Sequence, residues 1–151
     1  SVILVLDGVE DPHNLGAIIR SAAHFSISAL FYSSKSTSHT DSAVARVAQG
    51  GVEYVPIFKI ENWQEVIEFC KVKKVTLFST SDKAKKSISV EAFKEDSLIL
   101  MGNEGSGLSD FWKKVETTHI KIDGTNLVES LNVSVASGIL LSLYRQKYPL
   151  I

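Results

Sequence analysis

Little in this sequence can cross-link or chelate. Its one cysteine, Cys70, excludes an intrachain disulfide and any multi-cysteine metal site. Set in the run WQEVIEFCKV, that thiol reads as a small buried apolar group rather than a nucleophile. The histidines, His13, His24, His39 and His119, are scattered without metal-ligand spacing, and no Ser/His/Asp arrangement can be argued. No apolar run reaches the roughly 18 residues needed to span a bilayer, and the first residues carry no signal-peptide pattern. Together these features favour a reducing, cytoplasmic setting. Charge of one sign is also missing: 16 Lys and Arg against 17 Asp and Glu leave a formal −1, so there is no global basic footprint for nucleic acid. The chain opens at Ser1 directly in a strand-like run, which sets the expectation of an N-terminal substrate-binding domain outside it.

What is present is the pattern of one α/β domain over residues 1–151, with 44% hydrophobic and 22% charged residues. A continuous apolar run predicts a first strand over 2–6, covered on both faces. A polar loop over 7–14 follows, with Asn14 able to cap a helix over 15–25 whose apolar side carries Ile18, Ile19, Ala22 and Phe25. Further strands are expected over 29–32, 54–58, 75–78, 97–101 and 119–122, the second of these marked by Pro56 as an edge strand or strand end. Helices are expected over 41–48, stopped by Gly50-Gly51, and over 61–71, 108–115 and 129–146. The last has Leu131, Val135, Leu140, Leu143 and Tyr144 near helical spacing, with Ser130 or Asn132 as its cap.

Strands alternating with helices imply a parallel sheet with helices on both faces. Ligands of such sheets bind beyond the carboxyl ends of the strands, so the polar segments 7–14, 79–81, 102–107 and 123–130 should converge on one rim. Gly102-x-x-Gly105-x-Gly107 fits neither the dinucleotide fingerprint nor the P-loop. It leaves two readings: backbone approach to another ligand with Glu104 held among glycines, or a tight turn with a solvated glutamate. Arg20, among apolar neighbours, should either pair in a structural salt bridge or point to the rim or another subunit. Lys83-Ala84-Lys85-Lys86 reads as a solvated basic loop.

Three blocks in order narrow these readings. They are LDGVEDPHNLGAIIRS over 6–21, LILMGNEGSGL over 98–108 and SLNVSVA over 130–136. Their sequence and spacing resemble the three motifs of the SpoU/TrmH family, the SPOUT-class RNA ribose 2′-O-methyltransferases, over essentially the whole chain. The resemblance implies an S-adenosylmethionine-dependent α/β domain with a deep C-terminal trefoil knot, acting as a homodimer on tRNA or rRNA. Periodicity could not have shown such a knot, a rare exception to chain topology. The resemblance puts the methyl donor against Gly102, Asn103, Gly105, Ile122 and Leu131, gripped by main-chain groups; rim geometry adds Thr80. One departure is Ile122-Asp123-Gly124-Thr125, where the family carries a proline, although the Ile122-to-Leu131 spacing is kept.

The family's catalytic positions fall on Asn14, Arg20, Glu104, Ser130 and Asn132. The reaction aligns a ribose 2′-oxygen with a sulfonium methyl and removes the hydroxyl proton. The family proposal makes the arginine the general base. A guanidinium pKa above about 12 makes neutral arginine scarce, so a charged Arg20 would bind the target phosphate or stabilise a developing alkoxide. Asn14 and Glu104 would orient, Ser130 and Asn132 would shape the pocket, and Arg20, Lys35, Arg46 and the 83–86 lysines would contact RNA phosphates. Rival readings are a knotted RNA-binding module without catalysis and a small-molecule nucleotide enzyme, the latter lacking its phosphate motif.

Overall fold

A chain with apolar strands of five or six residues and helices between them can bury every strand only inside a parallel sheet. The computed structural model describes residues 1–33, 46, 54–80, 92–103, 105–125, 127–128 and 130–151. Among these, β1 (Val2–Asp7), β2 (Ala29–Ser33), β3 (Ile57–Lys59), β4 (Thr76–Thr80), β5 (Ser97–Gly102) and β6 (Thr118–Ile120) form one sheet in the order β3-β2-β1-β5-β4-β6. Every pairing is parallel. β1 and β5 lie at the centre in register from Val2↔Ser97 to Asp7↔Gly102, and all of β1 is buried.

Alternation along β1 and β5 sends residues to two cores. Leu4, Leu6, Ile99 and Met101 face α1 (Pro12–His24) and α4 (Val133–Lys147), packing with Ile18, Ile19, Leu140 and Tyr144. Ile3, Val5, Leu98 and Leu100 face α2 (Trp63–Lys73) and α3 (Asp110–Lys113), packing with Trp63, Ile67, Cys70 and Trp112. The expected parallel sheet with helices on both faces is therefore the architecture found.

Local chemistry shifted several expected boundaries. α1 starts at Pro12, and its cap is Asp11 rather than Asn14: Asp11 Oδ1 accepts from His13 N at 2.8 Å and Asn14 N at 3.2 Å. Proline suits the first helical position, where its missing N–H is no loss, and holds the residue before it extended. α4 starts at Val133, and of its two expected caps Asn132 is the one used, with Oδ1 accepting from Ser134 N at 2.8 Å and Val135 N at 3.4 Å. Leu140 and Tyr144 are buried as the spacing predicts, but Leu131 and Val135 are 46% and 49% exposed, since no described residue packs over the outer side of that entry. The third strand is shorter than expected, beginning after Pro56, and stands at the sheet edge. α3 is a single turn.

The expected helix over 41–48, apart from exposed Arg46, lies outside the described residues, as do Lys35, the 83–86 patch and Glu104. Among the described residues no helix is long and apolar enough to cross a membrane.

Candidate functional site

Parallel strands deliver their carboxyl ends to one edge, and two of the polar segments expected there, 7–14 and 102–107, meet. β1 ends in Asp7, 5% exposed. Its Oδ2 accepts from Ser109 N at 2.6 Å and its Oδ1 from Ser33 Oγ at 3.4 Å. A carboxylate this buried needs such donors, and here they tie β1 to the end of the glycine-rich segment and to β2. Gly8 turns the chain with φ +76°, and its carbonyl accepts from Asn103 Nδ2 at 2.8 Å. Asp7 was not among the expected site residues. Its signal was available in the sequence: an acidic residue closing an apolar strand, where solvent alone would not satisfy it.

The segment after β5 is a closed turn. Asn103 and Gly107 exchange backbone hydrogen bonds at 3.0 and 2.9 Å, and Asn103 Oδ1 accepts from Gly105 N at 2.8 Å and Ser106 N at 3.2 Å. A Cβ on Gly102 would stand 2.6 Å from the Gly107 carbonyl carbon, so only glycine lets this turn fold back on its strand. Asn103 thus spends its side chain holding the loop, and Gly105 spends its N–H on Asn103. The amides of Asn103, Gly105, Ser106 and Gly107 are all bonded within the loop, so among the described residues it presents no phosphate nest of free N–H groups.

Across the rim, Asn132 Nδ2 donates to Asn14 Oδ1 at 2.9 Å, linking residues 118 apart in sequence. This joins the first and third blocks as Asn103 to Gly8 joins the second to the first. Thr80 pairs with Ile120 at the ends of β4 and β6, and Ile122, two residues beyond, packs against the core under α1 and α4. Leu131 and Ser130 are exposed just ahead of the α4 cap. Arg20 is exposed on α1 and makes no hydrogen bond or ion pair with the described residues, so the expected salt bridge is absent among them. It lies six residues past Asn14, about 9 Å further along the helix axis.

Beside Arg20, α1 and α4 cross closely, with a Cβ on Gly138 meeting Ser21 Oγ at 3.7 Å. A shallow groove of about 530 Å³ runs there, lined by Ser21, Val135, Ile139 and Leu143 among others.

A parallel sheet with helices on both faces, its carboxyl edge carrying main-chain groups, glycines and paired amides, is of the doubly wound kind, whose ligands bind at that edge. Residues 1–142 match the SpoU rRNA Methylase family, and the chain belongs to that family. It is 36% identical over 140 residues to the 23S rRNA (guanosine-2′-O-)-methyltransferase RlmB of Ralstonia nicotianae, covering 93% of this chain and 56% of that protein. The RlmB of Coxiella burnetii is likewise 36% identical, over 93% of this chain and 56% of its own. Among solved structures, the AdoMet-bound rRNA methyltransferase from Sinorhizobium meliloti superposes with a TM-score of 0.81 at 27% identity, covering all of this chain and 57% of that one. The chain thus spans a little over half the length of these relatives.

Proposed function

We propose that this domain transfers a methyl group from S-adenosylmethionine to a ribose 2′-hydroxyl of RNA. The observation that carries the reading is the meeting of the three sequence blocks at one rim, through Asn103 to Gly8 and Asn132 to Asn14. The rim suits an adenosyl ligand without phosphates. Among its described residues the glycine loop offers no run of free amides to an anion, because Asn103 takes those of Gly105 and Ser106. Main-chain groups of Gly102, Ile122 and Leu131, with Thr80 beside them, would hold the donor. When bound, S-adenosylmethionine supplies an electrophilic methyl group for the ribose oxygen.

The chain's own residues supply the rest. Exposed Arg20 carries a permanent positive charge with no described partner, suited to a target phosphate or to negative charge developing on the 2′-oxygen. Asn14 orients from the first turn of α1, Ser130 lines the entry to α4, and Glu104 is assigned its orienting role from its motif alone. The names of the curated relatives point to ribosomal RNA as the substrate class. The same reading includes a trefoil-knotted thread, a cytoplasmic setting and a homodimer. A dimer is supported by the exposed apolar side chains of Leu127, Val128, Leu131 and Val135, the last of which lines the α1–α4 groove.

The test combines calorimetric titration of S-adenosylmethionine with mass spectrometry of an unmodified 23S rRNA transcript after incubation with donor. Saturable binding and a new 2′-O-methyl nucleotide are expected. Arg20→Ala should lower the rate at least about 100-fold, the scale of a lost electrostatic contact at a transition state, without lowering the melting temperature. Absence of binding at millimolar donor would sink the reading.

A further inference from the structure

Two neighbouring residues at the end of β1 hold both ends of the glycine-rich loop. Asn103, where the chain leaves β5, donates through Nδ2 to the Gly8 carbonyl at 2.8 Å. Ser109, where the loop hands over to α3, donates its N–H to Asp7 Oδ2 at 2.6 Å. Between those ends the amides of Gly105, Ser106 and Gly107 bond back onto Asn103. The loop is thus closed on itself, and its tilt over the rim is set where it meets residues 7 and 8. Leu108 packs toward the α2–α3 core, but an apolar contact is not directional, whereas a hydrogen bond is.

Asp7 is an unusual group to spend on such a contact. Strand alternation puts it on the side of Ile3 and Val5. It is 5% exposed and makes no ion pair with the described residues. Burying a carboxyl group there costs more than burying a neutral acceptor would. What it returns is a stronger tether, since a bond to a carboxylate oxygen is shorter and tighter than one between neutral groups. In the sheet register Asp7 stands opposite Gly102, so the tether acts one strand away from the main-chain groups assigned to the donor.

We propose that Asp7 is a positioning residue for the methyl donor: by holding Ser109 it fixes the glycine-rich loop over the carboxyl edge before the donor arrives. It sets donor affinity without touching the donor. This rests on the methyl-transfer reading above, in which Gly102 helps to grip the adenosyl group. A loop with glycine at 102, 105 and 107, if left loose, would be ordered only on binding, and that ordering subtracts from affinity. Direct contact between the carboxylate and the sulfonium would behave differently. It would favour the cationic donor over its neutral product, S-adenosylhomocysteine, whereas a clasp serves both alike because they share the adenosyl group.

Asp7→Ala and Asp7→Asn separate the two. Asparagine can keep an oxygen for Ser109 N and offer its NH2 to Ser33 Oγ, so the clasp survives the loss of charge. Both variants are titrated calorimetrically with S-adenosylmethionine and with S-adenosylhomocysteine, below their melting range. Amide hydrogen exchange and methyl transfer to the 23S rRNA transcript are followed alongside. In Asp7→Ala the Kd of both ligands should rise at least about tenfold and by matching factors, the scale of ordering one or two loop residues on binding. Exchange at Ser109 and Gly107 should quicken while Leu4 in β1 stays protected, and the RNA KM should stay within about threefold. Asp7→Asn should bind both ligands within about fourfold of the parent. Ser109→Pro, which fits that residue's φ of −66° and deletes the N–H from the other side, should reproduce the alanine result on its own. Parent-like affinity in Asp7→Ala or Ser109→Pro, a loss confined to the cationic donor, or an Asp7→Asn as weak as the alanine overturns the proposal alone. A parent that binds neither ligand overturns the methyl-transfer reading with it.

Discussion

Gly102 shows how little freedom some positions have. A methyl group there would lie 2.6 Å from the Gly107 carbonyl carbon and 2.8 Å from Leu108 N, and both are backbone atoms that cannot rotate away. Gly102→Ala is expected to destabilise the fold by about 1–3 kcal/mol, in the range of overpacking, measured by urea denaturation, with donor affinity falling as the loop is pushed off β5. Cys70 is a different case. Burial pushes its thiol up from 9.0 to about 11, and at 2% exposure it should resist alkylation at pH 8 in the native protein and react once unfolded. The unfolded chain releases this proton near pH 9 while the native chain keeps it, so the native state holds more protons between those values. Stability should therefore fall as pH rises from about 9 to about 11, by up to roughly 2–3 kcal/mol. Cys70→Ala should flatten that decline, whatever it does to stability at pH 7.

At the scale of elements, helix ends decide more than helix bodies. α2 closes on Lys74 at φ +57°, a left-handed conformation that glycine adopts without strain. Lys74→Gly should stabilise the protein by roughly 0.5–1 kcal/mol, read as a raised melting temperature; a lowered one would show that the lysine side chain outweighs the strain. Caps also explain where the sequence reading slipped. Asn14 and Asp11 both have the chemistry of a cap and stand on either side of Pro12. The choice fell to Asp11 because proline starts α1 and holds its predecessor extended. For α4 the sequence offered Ser130 or Asn132, and Asn132 is the one that caps it. Once relieved of capping α1, Asn14 was available to bond Asn132.

At the scale of the whole molecule, one chain leaves apolar surface at the start of α4 and a charged Arg20 without a described partner. A second copy across the α1–α4 face would cover the first and give the second a place to act. Sedimentation should report a mass twice the 16.5 kDa of the chain, and Val135→Asp, a charge set at 49% exposure, should shift it toward the single-chain mass without unfolding it.

The order of strands and helices, the two-faced burial of β1, and the glycine punctuation after β5 were legible in the sequence, because each follows from short-range periodicity and turn chemistry. The family resemblance was legible too, carried by three blocks whose spacing needs no coordinates. Contacts between those blocks were not. The sequence contains Asp7, Ser109, Asn14 and Asn132 but no rule that pairs residues more than 100 apart. Only the parallel stacking of six strands, which brings every carboxyl end to one edge, decided that Asp7 would hold Ser109 and that Asn132 would meet Asn14.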